Sequence, residues 1–205
     1  MRYAANLSPV RLSSGTWIDL RPLGPGDAAA LTRLVEELSA ESLYHRFFIA
    51  LHQLSPAMLR YLTEVDGVDH VALAAVVPGG DGDGDGYGGE RLVGVGRFVR
   101  EAGDPRAAEA AITVADDLQR QGLGRRLLAA LIEEARHDDI DRLLFELKRS
   151  NTGMRRLLRS AGARVVAERG AEMTFELRVP PPVWQLAPLR LLTAQVQTLR
   201  RRLVA

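Results

Sequence analysis

The sequence predicts a single mixed α/β domain, and three observations support that class. The chain has 205 residues, 46% hydrophobic and 26% charged, as expected of a globular domain with a sizeable core. Apolar runs rich in β-branched residues alternate along it with segments of helical periodicity. Two pairs of the apolar runs are separated by glycine-containing turns, which indicates hairpins within a mixed sheet.

The first third of the chain predicts one strand followed by three helices. The strand is "TWIDLRPL" at Thr16–Leu23, and the "GPGD" after it ends it. Asp27 is placed to cap a helix over Ala28–Leu38. "SAESLYHRFF" and "LSPAMLRYLTEV" predict two short helices, the second with Ser55 as N-cap and Pro56 at its first position.

Strands and helices alternate in the rest of the chain. His70–Val77 and Arg91–Glu101 flank a glycine-rich insert and predict a hairpin. The later segments predict, in order, a strand at 107–115, a helix over Gly122–His137, a strand at 142–148, a helix over Asn151–Ala161 ended by Gly162, and a hairpin of strands at 163–168 and 172–179.

Composition excludes several classes of protein. A net charge of +1 argues against a dedicated nucleic-acid binder, and the absence of cysteine excludes disulfides, thiolate metal sites and cysteine nucleophiles. No stretch resembles a signal peptide or a membrane span, so a cytoplasmic protein without membrane contact is expected. The four histidines are too scattered for a metal site, and we expect structural or surface roles for them: His45, His52, His70 and His137.

The insert at residues 78–90, "PGGDGDGDGYGGE", partly matches a calcium loop. Its alternating aspartates fit the first half of an EF-hand, but the twelfth position is Leu92, where a bidentate glutamate is required. No predicted helix precedes the insert. We therefore expect a flexible hairpin tip and no bound metal.

A glycine-rich turn follows the predicted strand that ends near Val114. It reads Gln119-x-x-Gly122-x-Gly124 and leads directly into an amphipathic helix. Such a turn presents unpaired backbone N–H groups at the positive end of a helix dipole, which is an anion site. The Rossmann spacing G-x-G-x-x-G and the Walker G-K-[ST] are both absent, which argues against a dinucleotide or P-loop site. The alternative is a helix that merely begins with glycines.

The ordered motifs resemble the GNAT family of N-acetyltransferases. "VADDLQRQGLGRRLL" is similar to its acetyl-CoA signature, Q/R-x-x-G-x-G/A after a strand. "SAESLYHRFF", "LSPAMLRYLTEVD", "GVGRFVRE", "AEAAITVADD" and "RSNTGMRRLLRSAGA" resemble, in this order, the catalytic domain of bacterial Pat-type protein lysine acetyltransferases. The resemblance covers about Gly15 to Val179.

This resemblance implies a GNAT-fold domain over residues 15–180. Its sheet would be mixed and mostly antiparallel, with a splayed central strand pair and helices on both faces. An N-terminal tail at 1–14 precedes the domain, and a proline-rich linker with an amphipathic helix follows at 181–205. The apolar residues of that helix keep 3-4 spacing, which suits docking on its own domain or formation of a homodimer.

The resemblance also implies acetyl-CoA as cosubstrate and places its binding residues. Backbone groups near Ile112, Thr113 and Val114 would pair with pantetheine and the acetyl carbonyl. The pyrophosphate would lie in the turn formed by Gln119, Arg120, Gln121, Gly122, Leu123, Gly124 and Arg125. Asn151 matches the family asparagine that contacts the cofactor arm, and it also suits an N-cap, a compatible role.

Catalysis requires a general base, because a lysine amine has a pKa near 10.4 and must lose a proton before it attacks a thioester. The resemblance implies that Glu109 is this base. Glu109 is out of pattern among alanines at the start of a strand. An exposed strand-end carboxylate is the alternative, and Glu101 and Glu146 are weaker candidates for the base. Many GNAT enzymes use a tyrosine as general acid at the position of Leu158, so that acid is absent here.

The predicted function is transfer of an acetyl group from acetyl-CoA to an amine. The first choice of acceptor is a protein lysine side chain, for example of an acyl-CoA synthetase. The alternatives are a small-molecule amine acetyltransferase, which an acidic acceptor cleft would favour, and a non-catalytic acyl-CoA-binding sensor.

Overall fold

The computed structural model describes residues 8–49, 53–79 and 89–181. The predicted C-terminal helix, the aspartates of the glycine-rich insert and His52 lie outside the described residues. In chain order the elements are β1 Val10–Arg11, β2 Trp17–Pro22, α1 Ala28–Glu37, α2 Ala40–Phe47, α3 Pro56–Thr63, β3 His70–Val77, β4 Arg91–Glu101, β5 Asp104–Val114, α4 Leu123–His137, β6 Arg142–Lys148, α5 Thr152–Ser160, β7 Arg164–Arg169 and β8 Glu172–Arg178.

The described strands form one eight-stranded mixed sheet in the order β1-β2-β3-β4-β5-β6-β8-β7. β5 and β6 pair in parallel, while the other neighbouring pairs are antiparallel. The mixed, mostly antiparallel sheet predicted from sequence is therefore confirmed.

The parallel pair separates partway along its length. Ala107 to Glu109 of β5 pair with Arg142 to Leu144 of β6, and the pairing stops there. β5 stays bonded to β4 as far as Val114, and β6 stays bonded to β8 as far as Lys148. Each strand thus follows its other neighbour, which opens a gap between them beyond Glu109. The splayed central pair is confirmed.

Helices cover both faces of the sheet, as predicted. On one face, α4 lies so close to β4 that a Cβ on Gly94 would lie 3.2 Å from Leu127 Cδ1, and one on Gly96 would lie 3.2 Å from Leu131 Cδ1. Because side chains alternate along a strand, Val95 and Arg97 face the other side, against α1. The two β4 glycines therefore serve helix packing. The core between the layers includes the fully buried Phe98, Phe145 and Phe175.

Two features differ from the sequence prediction. A two-residue strand, Val10–Arg11, pairs with β2 inside the segment expected to be a tail. Asp27 stands at the N-cap of α1 but makes no side-chain bond to that helix. Its carboxylate instead accepts hydrogen bonds from the Gly24 N–H at 2.9 Å and from the Arg21 guanidinium at 2.7 Å, because a 3-10 turn at Pro25–Asp27 precedes the helix.

Candidate active site

A cleft of about 1330 Å³ opens where β5 and β6 separate. Its walls are the two diverging strands, helix α2, the turn between β5 and α4, and the beginning of α5. Of the twelve residues predicted to bind the cosubstrate or catalyse the reaction, eleven line this cleft. The exception is Leu123, whose side chain is buried in the core and which could contribute only its backbone.

The far half of β5 presents free backbone groups to the gap. Ala115 donates its N–H to Val93 O on β4 at 2.8 Å. Because the bonding direction alternates along a strand, Thr113 also faces β4, while Ile112 and Val114 direct their backbone groups toward the gap. The Val114 carbonyl accepts a hydrogen bond from Gln119 Nε2 at 3.3 Å. Thr113 could therefore serve a ligand through its side chain, and its two neighbours through their backbone.

The two glycines of the turn differ in what the protein requires of them. Gly122 has φ +95°, a left-handed conformation that other residues adopt at a cost, and a Cβ there would meet nothing within 4 Å. Gly124 has no such backbone constraint inside α4, and a Cβ there would meet only Leu157 Cδ2, at 3.4 Å. The fold thus explains Gly122 but not Gly124, which is the pattern expected where a ligand approaches the backbone closely.

The cleft is strongly basic around this turn. Four arginines line it from the turn, α4 and the beginning of α5, namely Arg120, Arg125, Arg126 and Arg156. Each is exposed, and none forms an ion pair within the described ranges. Unpaired guanidinium groups beside helix N-termini suit a ligand with several phosphates.

The glutamine side chains of the turn are largely used within the protein. Gln119 Nε2 donates to Asp116 Oδ1 at 2.7 Å, and Gln121 Nε2 donates to the Asp117 carbonyl at 2.8 Å. Gln121 Oε1 is buried without a hydrogen-bond partner among the described residues. Sequence reasoning had no means to distinguish these roles.

Asn151 forms the predicted cap and also lies at the cleft. Its Oδ1 accepts the Met154 N–H at 3.0 Å, which caps α5. The residue also lines the cleft beside the glycine turn. The cap fixes the side chain at the position where it could contact a bound cosubstrate.

Glu109 lies at the point where the strands separate. Glu109 as a residue is exposed to the cleft. Partial burial of its carboxyl and the negative charge of Glu146 raise its pKa above the ordinary value, with a further contribution from Glu101, while Arg46 acts in the opposite direction. Glu146 lines the same cleft, whereas Glu101 does not. The site therefore holds two carboxylates that could serve as a base.

Helix α2 covers the part of the cleft that contains Glu109 and Glu146, which we call the acceptor side. Hydrogen bonds hold this helix at both ends. At its beginning, Asp116 accepts hydrogen bonds from the Ser39 N–H at 2.7 Å and from Ser42 Oγ at 2.5 Å. Near its end, His45 Nε2 lies 2.9 Å from Ser150 Oγ. His45 also lines the cleft, and its contact with Ser150 is compatible with the structural role expected for it.

The sole lysine of the chain also holds this helix. Lys148 Nζ is ion-paired with Glu172 at 2.8 Å and lies 5.1 Å and 4.8 Å from the ring centres of Tyr44 and Phe48. Phe48 ends α2 in a left-handed conformation and lines the cleft. His45, Arg46 and Phe48 of the "YHRFF" segment therefore line the cleft, while Tyr44 and Phe48 also contact Lys148.

Three further observations concern the position of Leu158, metal-ligating side chains and the length of the helices. Leu158 is fully buried and does not line the cleft, so that position offers no acid group to it. The described residues contain no cluster of side chains that could hold a metal ion. None of the described helices has the length and apolar character needed to cross a membrane.

A sheet that opens between two parallel strands, beside a glycine turn and arginines that have no ion pair among the described residues, defines a binding site suited to a ligand with several phosphates. Residues 33–163 match the Acetyltransferase (GNAT) family, and the chain belongs to that family.

Comparisons with individual proteins agree. The chain is 35% identical to Acetyltransferase Pat of Mycolicibacterium smegmatis over 84% of its own length and 49% of that relative, so it spans about half the length of the curated relative. Its structure is similar to the GNAT domain of S. lividans PAT, with a TM-score of 0.74, 28% identity, and coverage of 83% of this chain and 96% of that one.

A third similarity concerns the fold alone. The yncA protein of Salmonella typhimurium, a structure described with its cofactor acetyl-CoA, has a TM-score of 0.58 and 21% identity, over 80% of this chain and 94% of that one.

Proposed function

We propose that this protein transfers the acetyl group of acetyl-CoA to an amine, with a protein lysine side chain as acceptor and Glu109 as general base. The observation that carries the proposal is the position of Glu109, at the exact residue where β5 and β6 stop pairing and the cleft begins. The free backbone groups, the glycine turn and the basic wall all lie on one side of this point.

The residues around the gap fit acetyl-CoA. Pantetheine carries amide groups, which can bond to the backbone of Ile112 and to the N–H of Val114 as a neighbouring strand would. The turn at Gly122 offers N–H groups at the N-terminus of α4 for the pyrophosphate. When bound, the thioester supplies the activated acetyl group.

The chemistry needs a base because the acceptor amine is protonated at neutral pH. Glu109 accepts this proton, the free amine attacks the thioester carbonyl, and the new C–N bond forms. As the C–S bond breaks, the nitrogen loses its second proton, which passes through water to the departing thiolate, so the products are the amide and the coenzyme A thiol. A backbone N–H at the opened strand can stabilise the negative charge on the carbonyl oxygen. The raised pKa of Glu109 makes the carboxylate a stronger base than an ordinary glutamate.

The acceptor side of the cleft favours a cation presented by a protein. Glu41, Glu109 and Glu146 line it, and they suit a positively charged amine. Tyr44 and Ile49, at the end of α2 beside the cleft, expose 42% and 56% of their surface, which suits contact with a macromolecule. The 35% identity to Acetyltransferase Pat is consistent with the resemblance of the sequence motifs to Pat-type protein lysine acetyltransferases, and that resemblance supports the same acceptor class.

The test is intact-protein mass spectrometry of an unacetylated acyl-CoA synthetase incubated with acetyl-CoA and this protein. We expect the wild-type protein to produce an acetyl-sized mass gain on the synthetase. The rate of this acetylation should be lower by about 10²–10⁴-fold with Glu109→Gln. Glu146→Gln, the same change on the neighbouring strand, should stay within about tenfold of wild type if Glu109 is the base. A larger loss in Glu146→Gln would transfer the role of base to that residue.

The carboxylates in the cleft also favour a second candidate, a small cationic amine. Release of coenzyme A thiol with a polyamine, but no mass gain on the protein acceptor, would support that function. Acetyl-CoA binding by calorimetry with no turnover of either acceptor would indicate the non-catalytic sensor.

A further inference from the structure

Arg46 projects from helix α2 into the region between the cleft and the sheet. It lines the acceptor cleft together with Glu109, and it also lines a small cavity against Ala111 and Thr113. That cavity has a volume of about 20 Å³, which holds no more than a water molecule. The guanidinium carbon lies 5.0 Å from the centre of the Phe47 ring.

Strand geometry places Arg46 and Glu109 over the same face of the sheet. Glu109, Ala111 and Thr113 alternate along β5, so their side chains share one face. The contact of Arg46 with the cavity beside Ala111 and Thr113 shows that this face is the one α2 covers. The arginine therefore lies above the strand that carries Glu109.

The charges that surround Glu109 come from three elements. Glu146 on β6 and Glu101 on β4 are negative, and Arg46 on α2 is positive. Within the part of the chain that the structure describes, Arg46 has no carboxylate within 4 Å and so forms no direct ion pair. Its charge acts on Glu109 through space.

The other polar groups near Arg46 do not replace this interaction. Arg97 on β4 repels it and is itself bonded to the Leu62 carbonyl at 2.8 Å and to His70 Nε2 at 3.2 Å. Tyr61 on α3 is also near Arg46, and the α2 residues Glu41 and His45 line the cleft. Since α2 is anchored at both ends, the arginine has a fixed position relative to β5.

We infer that Arg46 is a positioning residue whose fixed positive charge keeps the Glu109 carboxylate ionised against the opposing charges of Glu146 and Glu101. The inference rests on the proposed role of Glu109 as general base. Without Arg46, burial and the two negative neighbours would act alone, and the carboxylate would bind a proton at higher pH.

The experiment is the pH dependence of kcat/KM for the acceptor in Arg46→Met, Arg46→Lys and Glu146→Gln. Loss of the positive charge in Arg46→Met should move the acidic limb of the profile to higher pH. Arg46→Lys should return it toward wild type, because lysine restores the charge. Glu146→Gln removes a negative neighbour of Glu109 and should move the acidic limb to lower pH. This variant tests the electrostatic effect on Glu109 in a protein that keeps Arg46.

The outcomes separate this inference from the proposed function. Suppose that Glu109→Gln abolishes transfer. If the acidic limb does not move in Arg46→Met, or moves equally in Arg46→Met and Arg46→Lys, the role inferred for Arg46 is wrong while Glu109 remains the base. If Glu109→Gln retains the wild-type rate and profile, the proposed base fails first. Circular dichroism and acetyl-CoA affinity check that each variant is folded; if Arg46→Met is not, Arg46→Gln takes its place.

Discussion

At the residue scale, the two glycines of the turn have different physical reasons: one concerns the backbone conformation and the other concerns space for a ligand. Gly122 is required by the backbone, because its φ of +95° is a conformation that costs other residues about 1–2 kcal/mol. Gly124 lies in regular helix, where alanine is favoured over glycine by up to about 1 kcal/mol. Only a ligand that approaches the backbone would explain glycine at the second position.

We therefore expect Gly124→Ala to weaken acetyl-CoA binding without loss of stability. The alanine Cβ would occupy space at the N-terminus of α4, and we expect the Kd for acetyl-CoA to rise at least about tenfold, or ~1.4 kcal/mol. Isothermal titration calorimetry and thermal unfolding measure the two effects. Gly122→Ala is the comparison, and it should lower the free energy of unfolding by about 1–2 kcal/mol. Wild-type affinity in Gly124→Ala would contradict close approach of the ligand.

At the element scale, Asp116 connects the acceptor wall to the glycine turn. Its carboxylate accepts from Ser39 and Ser42 at the beginning of α2 and from Gln119 in the turn. Burial acts to raise the pKa of Asp116, but the hydrogen bonds from Ser42 and Ser39 outweigh it and the pKa is lowered. One side chain thus sets the position of two elements that face each other across the cleft.

We expect Asp116→Ala to lower the free energy of unfolding by about 1–2 kcal/mol at pH 7, because hydrogen bonds to a charged acceptor are lost. A carboxyl whose pKa is lowered on folding stabilises the protein above its unfolded pKa, and this stabilisation is lost as the pH falls through the folded value. The difference between wild type and variant should therefore shrink below about pH 4. Urea unfolding across pH measures it, and a difference that stays constant with pH would contradict the prediction.

At the scale of the whole molecule, a net charge of +1 conceals a separation of charge along the cleft. Four arginines without an ion pair among the described residues lie around the glycine turn, where Asp116 is the nearby carboxylate. Glu41, Glu109 and Glu146 lie at the acceptor end, where Arg46 is the nearby cation. The same chain has one lysine, and that lysine is held by Glu172 and two aromatic rings, with 10% of its side chain exposed. The hydrogen bond to Glu172 raises the pKa of Lys148, which favours the unreactive ammonium form.

We expect the protein to leave its own Lys148 unacetylated during turnover. Prolonged incubation with acetyl-CoA, followed by intact-mass measurement and peptide mapping, should show no acetyl group on this residue. Glu172→Gln removes the ion pair and should make acetylation of Lys148 detectable. An acetyl group on Lys148 in wild type would show that the aromatic and ionic contacts do not protect it.

The sequence by itself determined the order of nearly all the elements, because apolar periodicity, capping residues and glycine turns are local signals. It located the turn from Gln119 to Gly124 for the same reason. The cap at Asn151 was predicted, whereas the side chain of Asp27 found other partners, since a guanidinium and a backbone N–H compete for the same carboxylate.

Only the tertiary structure decided what surrounds Glu109. The gap exists because β5 and β6 each remain paired to a different neighbour, a relation between residues far apart in the chain. The grouping of Glu109 with Glu146 and Arg46 likewise depends on the register of two strands and on the docking of α2. Periodicity shows which face of an element is buried, but charges interact through space, and their distances are fixed only when the elements pack.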